Sequence, residues 1–222
     1  MKKKIIIIAL LGAILSIIIY INTRNNKINM VALGDGIALG MTPYNIEGYS
    51  YNDYIKEEYV NNSIIKNYYE IANFGKTVKE LIYEIKENGY ILKNDKKIEI
   101  QRAINEADIL TVSIGMDELS EDKITKSIIK EYEKDIKELL NLIKKINHNK
   151  VIILGLYTIK KEEQLNIAKL NAIIRDAAIT NNFNFIDIND ILTEEKYYFN
   201  NESYYINYLG HKEIYINIKP YL

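Results

Sequence analysis

Four acidic side chains stand where hydrophobic segments of the sequence end or where the last helix-like segment begins. Asp35 follows the first hydrophobic segment, Asp117 and Glu118 follow the third, and Glu202 precedes the last helix-like segment. If these carboxylates converge, their oxygens could hold a hard cation such as Ca²⁺. The competing interpretation is that Asp35 and Glu118 cap helices or turns, as short polar residues often do.

Other reactive side chains are few. Cysteine is absent, which excludes disulfides, thiol nucleophiles and thiolate metal ligands. The chain has 2 histidines, so a three-histidine zinc site is excluded as well. The 29 Lys and Arg residues balance 30 Asp and Glu residues, for a net charge of −1. Because no basic surface is implied, we predict no nucleic-acid partner, and no motif calls for a cofactor.

Alternating strand-like and helix-like segments must position these side chains. Runs rich in Ile, Val and Leu have the character of buried strands, at Ile28–Leu33, Tyr68–Ala72, Ile109–Ile114, Val151–Leu154 and Phe183–Ile188. Segments with helical periodicity follow them, at Thr77–Asn88, Ile124–Ile146, Gln164–Thr180 and Tyr208–Tyr221. This alternation predicts an α/β fold with a five-stranded parallel sheet covered by helices on both faces. A site in such a fold lies at the carboxyl ends of the strands.

The first 24 residues, MKKKIIIIALLGAILSIIIYINTR, differ from the rest in composition. Three lysines precede 17 uncharged, mostly apolar residues, Ile5–Ile21, a length that reaches across a bilayer core as a helix. We therefore predict an uncleaved transmembrane signal anchor over residues 1–24, a linker over 25–30 and one domain over 31–222. The lysines favour the cytoplasmic side, so the domain is expected on the outer face of the cell membrane. A cleaved signal peptide, which would give a secreted domain, is the alternative.

Ordered segments at the predicted strand ends resemble the sequence blocks of the SGNH, or GDSL-type, hydrolase family. Matching segments are VALGDGIALG (31–40), NFG (73–75), ADILTVSIGMDEL (107–119), VIILGLY (151–157), NAIIRDAAITNNFNFIDINDIL (171–192) and the run from Glu202 to His211. The resemblance covers about residues 28–222 and implies a flavodoxin-like three-layer α/β/α fold.

The resemblance also implies ester hydrolysis by a Ser nucleophile, a His base and an Asp that orients the base. In the family, the oxyanion hole is formed by two backbone N–H groups and the side-chain amide of an Asn. The Ser position is Gly36 here, the hole-forming glycine is Gly75, and the Asn position is Asp117, whose ionised carboxylate cannot donate a hydrogen bond. Glu202 and Tyr205 align with the catalytic Asp and His, and tyrosine is a poor base at neutral pH. We therefore predict that no catalytic set is intact.

Two residues are candidates for a rearranged catalytic site. Ser203 lies beside the position of the lost His, and His211 is the histidine nearest to the site in the alignment. Ser50 is instead expected to cap a helix, and Ser113 to lie inside a strand. His148 falls between a helix and the fourth strand, at the end of the sheet opposite the site, and is given no role.

Aromatic residues are dense near the end of the chain, at Tyr197, Tyr198, Phe199, Tyr204, Tyr205 and Tyr208. They could form a platform for a glycan or a peptide, because aromatic faces bury a large area with few torsions to immobilise. Ordinary core packing is the alternative interpretation.

These observations predict a membrane-anchored, SGNH-like domain of a bacterial envelope that is a pseudoenzyme. In this hypothesis it binds a glycan, a peptide or another envelope protein in the vestigial cleft, or acts as a scaffold. The alternative is an active esterase that removes acyl or acetyl groups from envelope glycans or lipids through the rearranged site.

Overall fold

The computed structural model describes residues 27–93, 95–120, 124–200 and 204–222. The predicted anchor, residues 1–24, lies outside these ranges, as do Glu202 and Ser203. Within the described ranges, no helix is both long enough and apolar enough to cross a membrane.

A parallel sheet forms the centre of the structure. The strands in chain order are β1 (Ile28–Gly34), β2 (Ile65–Ala72), β3 (Tyr90–Lys93), β4 (Lys96–Glu99), β5 (Ile109–Ser113), β6 (Lys150–Leu154) and β7 (Asn184–Ile186). Five of them form the sheet, in the order β2-β1-β5-β6-β7 with every neighbouring pair parallel. Counted within the sheet, this is the order 2-1-3-4-5 of doubly wound flavodoxin-like proteins. The predicted α/β class and five-stranded parallel sheet are confirmed.

Two groups of helices cover the sheet. The helices of the described residues are α1 (Gly36–Leu39), α2 (Tyr51–Asn61), α3 (Val78–Lys86), α4 (Ile100–Asn105), α5 (Met116–Ser120), α6 (Lys126–Ile146), α7 (Gln164–Thr180), α8 (Ile188–Ile191) and α9 (Tyr208–Ile218). Helices α2 and α9 contact each other, whereas α6 contacts both α3 and α7. Because β1 and β5 are buried at almost every position, the two groups must lie on opposite faces of the sheet.

One segment between β2 and β5 is not predicted by the sequence. Strands β3 and β4 pair as an antiparallel hairpin, and α4 follows at once. Each strand has 4 residues, which is too short for a periodic pattern to stand out, and Tyr90 and Leu92 are exposed. The long amphipathic segments are predicted more closely, and α7 begins and ends where the sequence places it.

The chain reverses after α1 in a turn that depends on a glycine. Gly40 ends α1 with a φ of 71°, in the left-handed region, and its N–H donates to the carbonyl groups of Gly36 and Ile37. A Cβ at this glycine would lie 2.9 Å from the backbone nitrogen of Ser50. Ser50 in turn caps α2, exchanging hydrogen bonds with Asp53, which confirms its predicted role.

We expect Gly40→Ala to destabilise the protein more than Gly75→Ala. Gly75 has a similar φ of 76°, but a Cβ there meets nothing within 4 Å. Both substitutions place a side chain in the left-handed region, at a cost of about 1–2 kcal/mol. Only Gly40→Ala adds a collision with the backbone of Ser50, worth about 1–3 kcal/mol more. Urea denaturation of both variants measures the difference, and equal losses of stability would contradict the steric account.

Candidate functional site

Two loops meet at the carboxyl edge of the sheet because β1 and β5 are neighbours. Gly34 at the end of β1 pairs in register with Ser113 at the end of β5. The backbone N–H of Asp35 extends this ladder by donating to the carbonyl of Ser113, at 3.1 Å. The next residues of each loop, Gly36 and Asp117, therefore face each other, although they are far apart in the sequence.

Asp35 is fully buried and joins the starts of two helices. One carboxylate oxygen accepts the N–H of Ile37 in α1, at 3.1 Å. The other accepts three N–H groups of the β5–α5 loop and α5, those of Gly115 and Met116 at 2.8 Å and that of Asp117 at 3.3 Å. These donors satisfy a carboxylate that has no access to solvent. Asp35 is thus a cap for α1 and α5.

Asp117 joins the same two loops from the other side, because it follows β5 and accepts hydrogen bonds from the loop after β1. One of its carboxylate oxygens accepts the N–H of Gly36 at 2.8 Å and the N–H of Gly75 at 2.7 Å. The other oxygen accepts the hydroxyl of Tyr204 at 3.3 Å. The two N–H groups are those that the family resemblance assigns to the oxyanion hole. On that assignment, the carboxylate of Asp117 takes the position of the oxyanion, an arrangement called the filled hole below.

The carboxylate of Asp117 lies next to Gly36, in space that a side chain at residue 36 would need. A Cβ on Gly36 would lie 2.9 Å and 3.1 Å from the two carboxylate oxygens of Asp117, and 3.1 Å from a ring carbon of Phe74. The first distance is shorter than real Cβ contacts and the other two are tight, so a serine at position 36 would push the carboxylate away from its present place. A side chain at position 36 and the carboxylate of Asp117 in its present place therefore compete for the same space.

The site concentrates negative charge where a hydrolase needs positive potential. Burial and, to a smaller extent, the nearby charge of Asp117 raise the pKa of the Asp35 carboxyl to about 7, against the backbone donors that lower it. Because the ordinary value is 3.8, folding favours the protonated form of Asp35. The stabilisation from this group is therefore complete below pH 3.8 and is lost as the pH rises through about 7.

The predicted carboxylate cluster does not assemble as a cation site among the described residues. Glu118 accepts the N–H of Val78 at 3.1 Å, so it caps α3, while Asp35 and Asp117 are occupied by backbone donors. Across the described ranges, no group of three or more Asp, Glu, His or Cys side chains is placed to hold a metal ion. Glu202, the fourth member of the predicted set, lies outside those ranges.

His211, on α9, is buried against the first residue of α2. Its side chain is 2% exposed, and its Nδ1 accepts the N–H of Tyr51 at 3.3 Å. Burial lowers the pKa of the imidazole to about 3, so it is neutral and a weak base. Ser113 is buried at the end of β5 and His148 is exposed before β6, both as predicted. Ser203, the proposed partner of His211, lies outside the described residues.

Aromatic rings stand beside the filled hole. Tyr205, at the position of the lost His, stacks on Tyr204 at a centroid distance of 4.3 Å and packs against an apolar cluster that includes α1 residues. Phe199 and Tyr44 form an edge-to-face pair at 6.3 Å, and the N–H of Phe199 donates to the carbonyl of Tyr205. Sequence analysis did not single out Phe74, which lies against Gly36 and is 46% exposed.

The predicted aromatic platform is only partly present. Tyr197 and Tyr198 are 8% and 5% exposed and belong to the hydrophobic core, as the packing interpretation expects. Phe199 and Tyr208 are exposed, and Tyr204 and Tyr205 are half-buried. The hydroxyl of Tyr198 donates to the carbonyl of Leu192 at 2.7 Å, which holds it inside.

The fold is shared with known hydrolases. No protein-family model and no curated protein matches the sequence. Solved structures do match: LAE5, an alpha/beta hydrolase from the metagenome of Lake Arreo (16% identity, TM-score 0.61, covering 85% of this chain and 91% of that one), Axe2, an acetylxylan esterase from Geobacillus stearothermophilus (15%, 0.65, 86% and 93%), and a lipase/acylhydrolase from Enterococcus faecalis (14%, 0.61, 86% and 95%). The resemblance to SGNH hydrolases is confirmed at the level of the fold.

We expect the effects of Gly36→Ser and Asp117→Ala on stability to be strongly non-additive. In the natural protein, Gly36→Ser forces the new Cβ against the carboxylate, at a cost of about 1–3 kcal/mol. In the Asp117→Ala background those oxygens are gone, so the same substitution should cost less, with a coupling of about 0.5–3 kcal/mol. Denaturant unfolding of the four proteins measures this coupling. Glu118→Ala is the control background, where the cost of Gly36→Ser should be unchanged.

We expect the Asp35 carboxyl to titrate near neutral pH, and Asp117→Asn to lower its pKa. The asparagine oxygen can still accept both N–H groups, but the negative charge that raises the Asp35 pKa is removed. Carbon-13 NMR of the aspartate side-chain carboxyl carbons measures both titrations directly. A carboxyl carbon of Asp35 that titrates near pH 4 in the natural protein would contradict the burial argument.

Proposed function

We propose that this protein is a non-catalytic binding module built on the SGNH hydrolase fold. The observation that carries the proposal is the carboxylate of Asp117 on the N–H groups of Gly36 and Gly75. Loss of a triad member in a serine hydrolase leaves a rate enhancement over water of roughly 10³–10⁴, which comes from substrate binding and the oxyanion hole. In this chain the hole donors are already used by a negative charge, which would also repel a developing oxyanion.

The size of the rate enhancement that remains decides between an impaired enzyme and a binding module. A single oxyanion-hole donor contributes about 2.7–4 kcal/mol to transition-state stabilisation. Here two backbone donors are occupied and the third position carries an acceptor, while residue 36 has no side chain to attack a substrate. Since the attacking side chain and the hole donors are lost together, we infer that ester hydrolysis is not the function.

We further propose that residues 1–24 anchor the domain in a bacterial membrane, with the domain on the outer face. Strand β1 begins at Ile28, so the predicted linker of residues 25–30 is shortened to residues 25–27, which would span at most about 10 Å. The amino edge of the sheet would then lie next to the membrane. The carboxyl edge, with Asp117 and the aromatic rings, would point away from it, towards soluble or wall-bound ligands.

The esterase and acylhydrolase named among the structural neighbours favour a second candidate, an ester hydrolase with a rearranged site. That candidate needs Ser203 or a water molecule as nucleophile and His211 as base. His211 is enclosed and has a pKa of about 3, so it holds a proton poorly at the pH where esterases work. The geometry therefore supports the binding module better.

We expect the full-length protein, purified in detergent, to hydrolyse p-nitrophenyl acetate and acetylated xylose no faster than buffer, because no nucleophile or hole is available. We also expect no covalent adduct with a fluorophosphonate probe, checked by mass spectrometry. The acetylxylan esterase from Geobacillus stearothermophilus, assayed in parallel, controls for the substrate and probe. Turnover that disappears in Ser203→Ala or His211→Ala would overturn the proposal in favour of the rearranged hydrolase.

A further inference from the structure

A cavity of about 500 Å³ opens at the same edge of the sheet, two strands away from the filled hole. Its walls come from the loop after β6, the start of α7, and α8 with the chain that follows it, and they include Thr158, Gln164, Asn189, Leu192 and Tyr198. In parallel α/β sheets, ligands bind at the carboxyl ends of the strands. The volume falls within the range of about 300–1,000 Å³ that is common for small-molecule sites.

This cavity is separate from the vestigial catalytic site but is connected to it by packed rings. Tyr198 in the cavity wall packs against Tyr157 at a centroid distance of 6.0 Å. The hydroxyl of Tyr157 donates to the carbonyl of Tyr204, and the hydroxyl of Tyr204 reaches Asp117. None of the residues that fill the oxyanion hole lines the cavity. It therefore offers a place for a ligand that the filled hole does not.

Three groups in the cavity wall form a closed ring of hydrogen bonds. The side-chain amide of Asn189 donates to the side-chain oxygen of Gln164 at 2.9 Å. The amide of Gln164 donates to the carbonyl of Thr158 at 2.7 Å, and the N–H of Thr158 donates to the side-chain oxygen of Asn189 at 3.0 Å. The backbone of Asn189 is held as well, because its N–H donates to Asp187 at 3.3 Å. Both side-chain amides are therefore fixed before any ligand arrives.

The ring uses only half of the hydrogen-bonding groups of the Gln164 and Asn189 side-chain amides. A primary amide has two N–H donors and an oxygen with two lone pairs. The ring uses one N–H and one lone pair of Gln164, and one of each of Asn189. Each residue thus keeps one donor and one acceptor. Fixed donor–acceptor pairs of this kind match hydroxyl groups, which both donate and accept.

The charge and polarity of the cavity wall indicate which class of ligand the cavity can bind. The charged residues of the wall, Lys161, Asp190 and Glu195, are all exposed and sum to −1, which does not favour an anion. Ile159 and Leu192 supply an apolar surface next to the amide ring. A pyranose has the same combination, with hydroxyl groups around its edge and C–H groups on its face.

We propose that this cavity binds a neutral, polyhydroxylated ligand, namely a sugar unit of a glycan, with Gln164 and Asn189 as the residues that recognise its hydroxyl groups. The inference rests on the proposed function as a binding module and names its ligand class. It moves the binding site from the vestigial cleft to the carboxyl ends of β6 and β7.

The test is a titration of the isotope-labelled full-length protein with xylose, N-acetylglucosamine and cellobiose at millimolar concentration, followed by NMR. We expect saturable shifts of the side-chain amide signals of Gln164 and Asn189 for at least one sugar. Gln164→Leu should weaken binding about tenfold or more, because it removes two hydrogen-bonding groups. Thr193→Trp fills the cavity from an exposed position without touching the ring, so it tests the site even if Gln164→Leu fails to fold.

Asn62→Ala, in the exposed residue after α2, is the matched control and should bind as the natural protein does. Inorganic phosphate and a capped alanine dipeptide serve as probes for anionic and peptide ligands. Binding of either probe without any sugar, binding of no probe, or sugar binding unchanged by Thr193→Trp would each overturn the assignment. These outcomes are independent of the esterase assay, so the ligand class can fail while the absence of hydrolysis stands.

Discussion

The hydrogen bonds from two backbone N–H groups to the carboxylate of Asp117 are the interaction on which the site depends. They tie the loop after β5 to the loops after β1 and β2, the three segments that a hydrolase of this fold uses to build its active centre. They also leave little space for a side chain at residue 36, since a Cβ would lie 2.9 Å from a carboxylate oxygen, which would have to shift. One contact thus brings three loops together and limits the space available at residue 36.

A second carboxylate, that of Asp35, joins the same two loops in the opposite direction. Asp35 reaches from the β1 loop to the start of α5, while Asp117 reaches from the loop after β5 back to the start of α1. Burial and the neighbouring charge of Asp117 both disfavour the ionised form of Asp35, and together they raise its pKa. Several backbone N–H donors oppose this rise. In this protein the backbone N–H groups donate to the protein's own carboxylates, whereas those of an oxyanion hole donate to the oxyanion of a substrate.

The protein shares its fold, and nothing finer, with known hydrolases. Esterases and an acylhydrolase share this architecture at 14–16% identity, a level at which likeness of fold says nothing about activity. What the architecture still provides is a row of loops at the carboxyl edge of a rigid sheet. The filled hole closes one position along this edge, and the amide-lined cavity beyond β6 and β7 leaves another open.

The sequence by itself determined the main elements and the residue types at the ends of the strands. Hydrophobic runs and helical periodicity placed the five sheet strands and α7, and the pattern after residue 49 identified Ser50 as a cap, because such signals are local. It also aligns Gly36, Asp117 and Tyr205 with the Ser, Asn and His of the family that the sequence resembles. Only the tertiary structure decided what these residues do. The contact between Gly36 and Asp117 joins residues 81 positions apart, through a register between β1 and β5 that no local pattern encodes. For the same reason the enclosure of His211 and the use of Asp35 as a double cap emerge only when separate segments pack together.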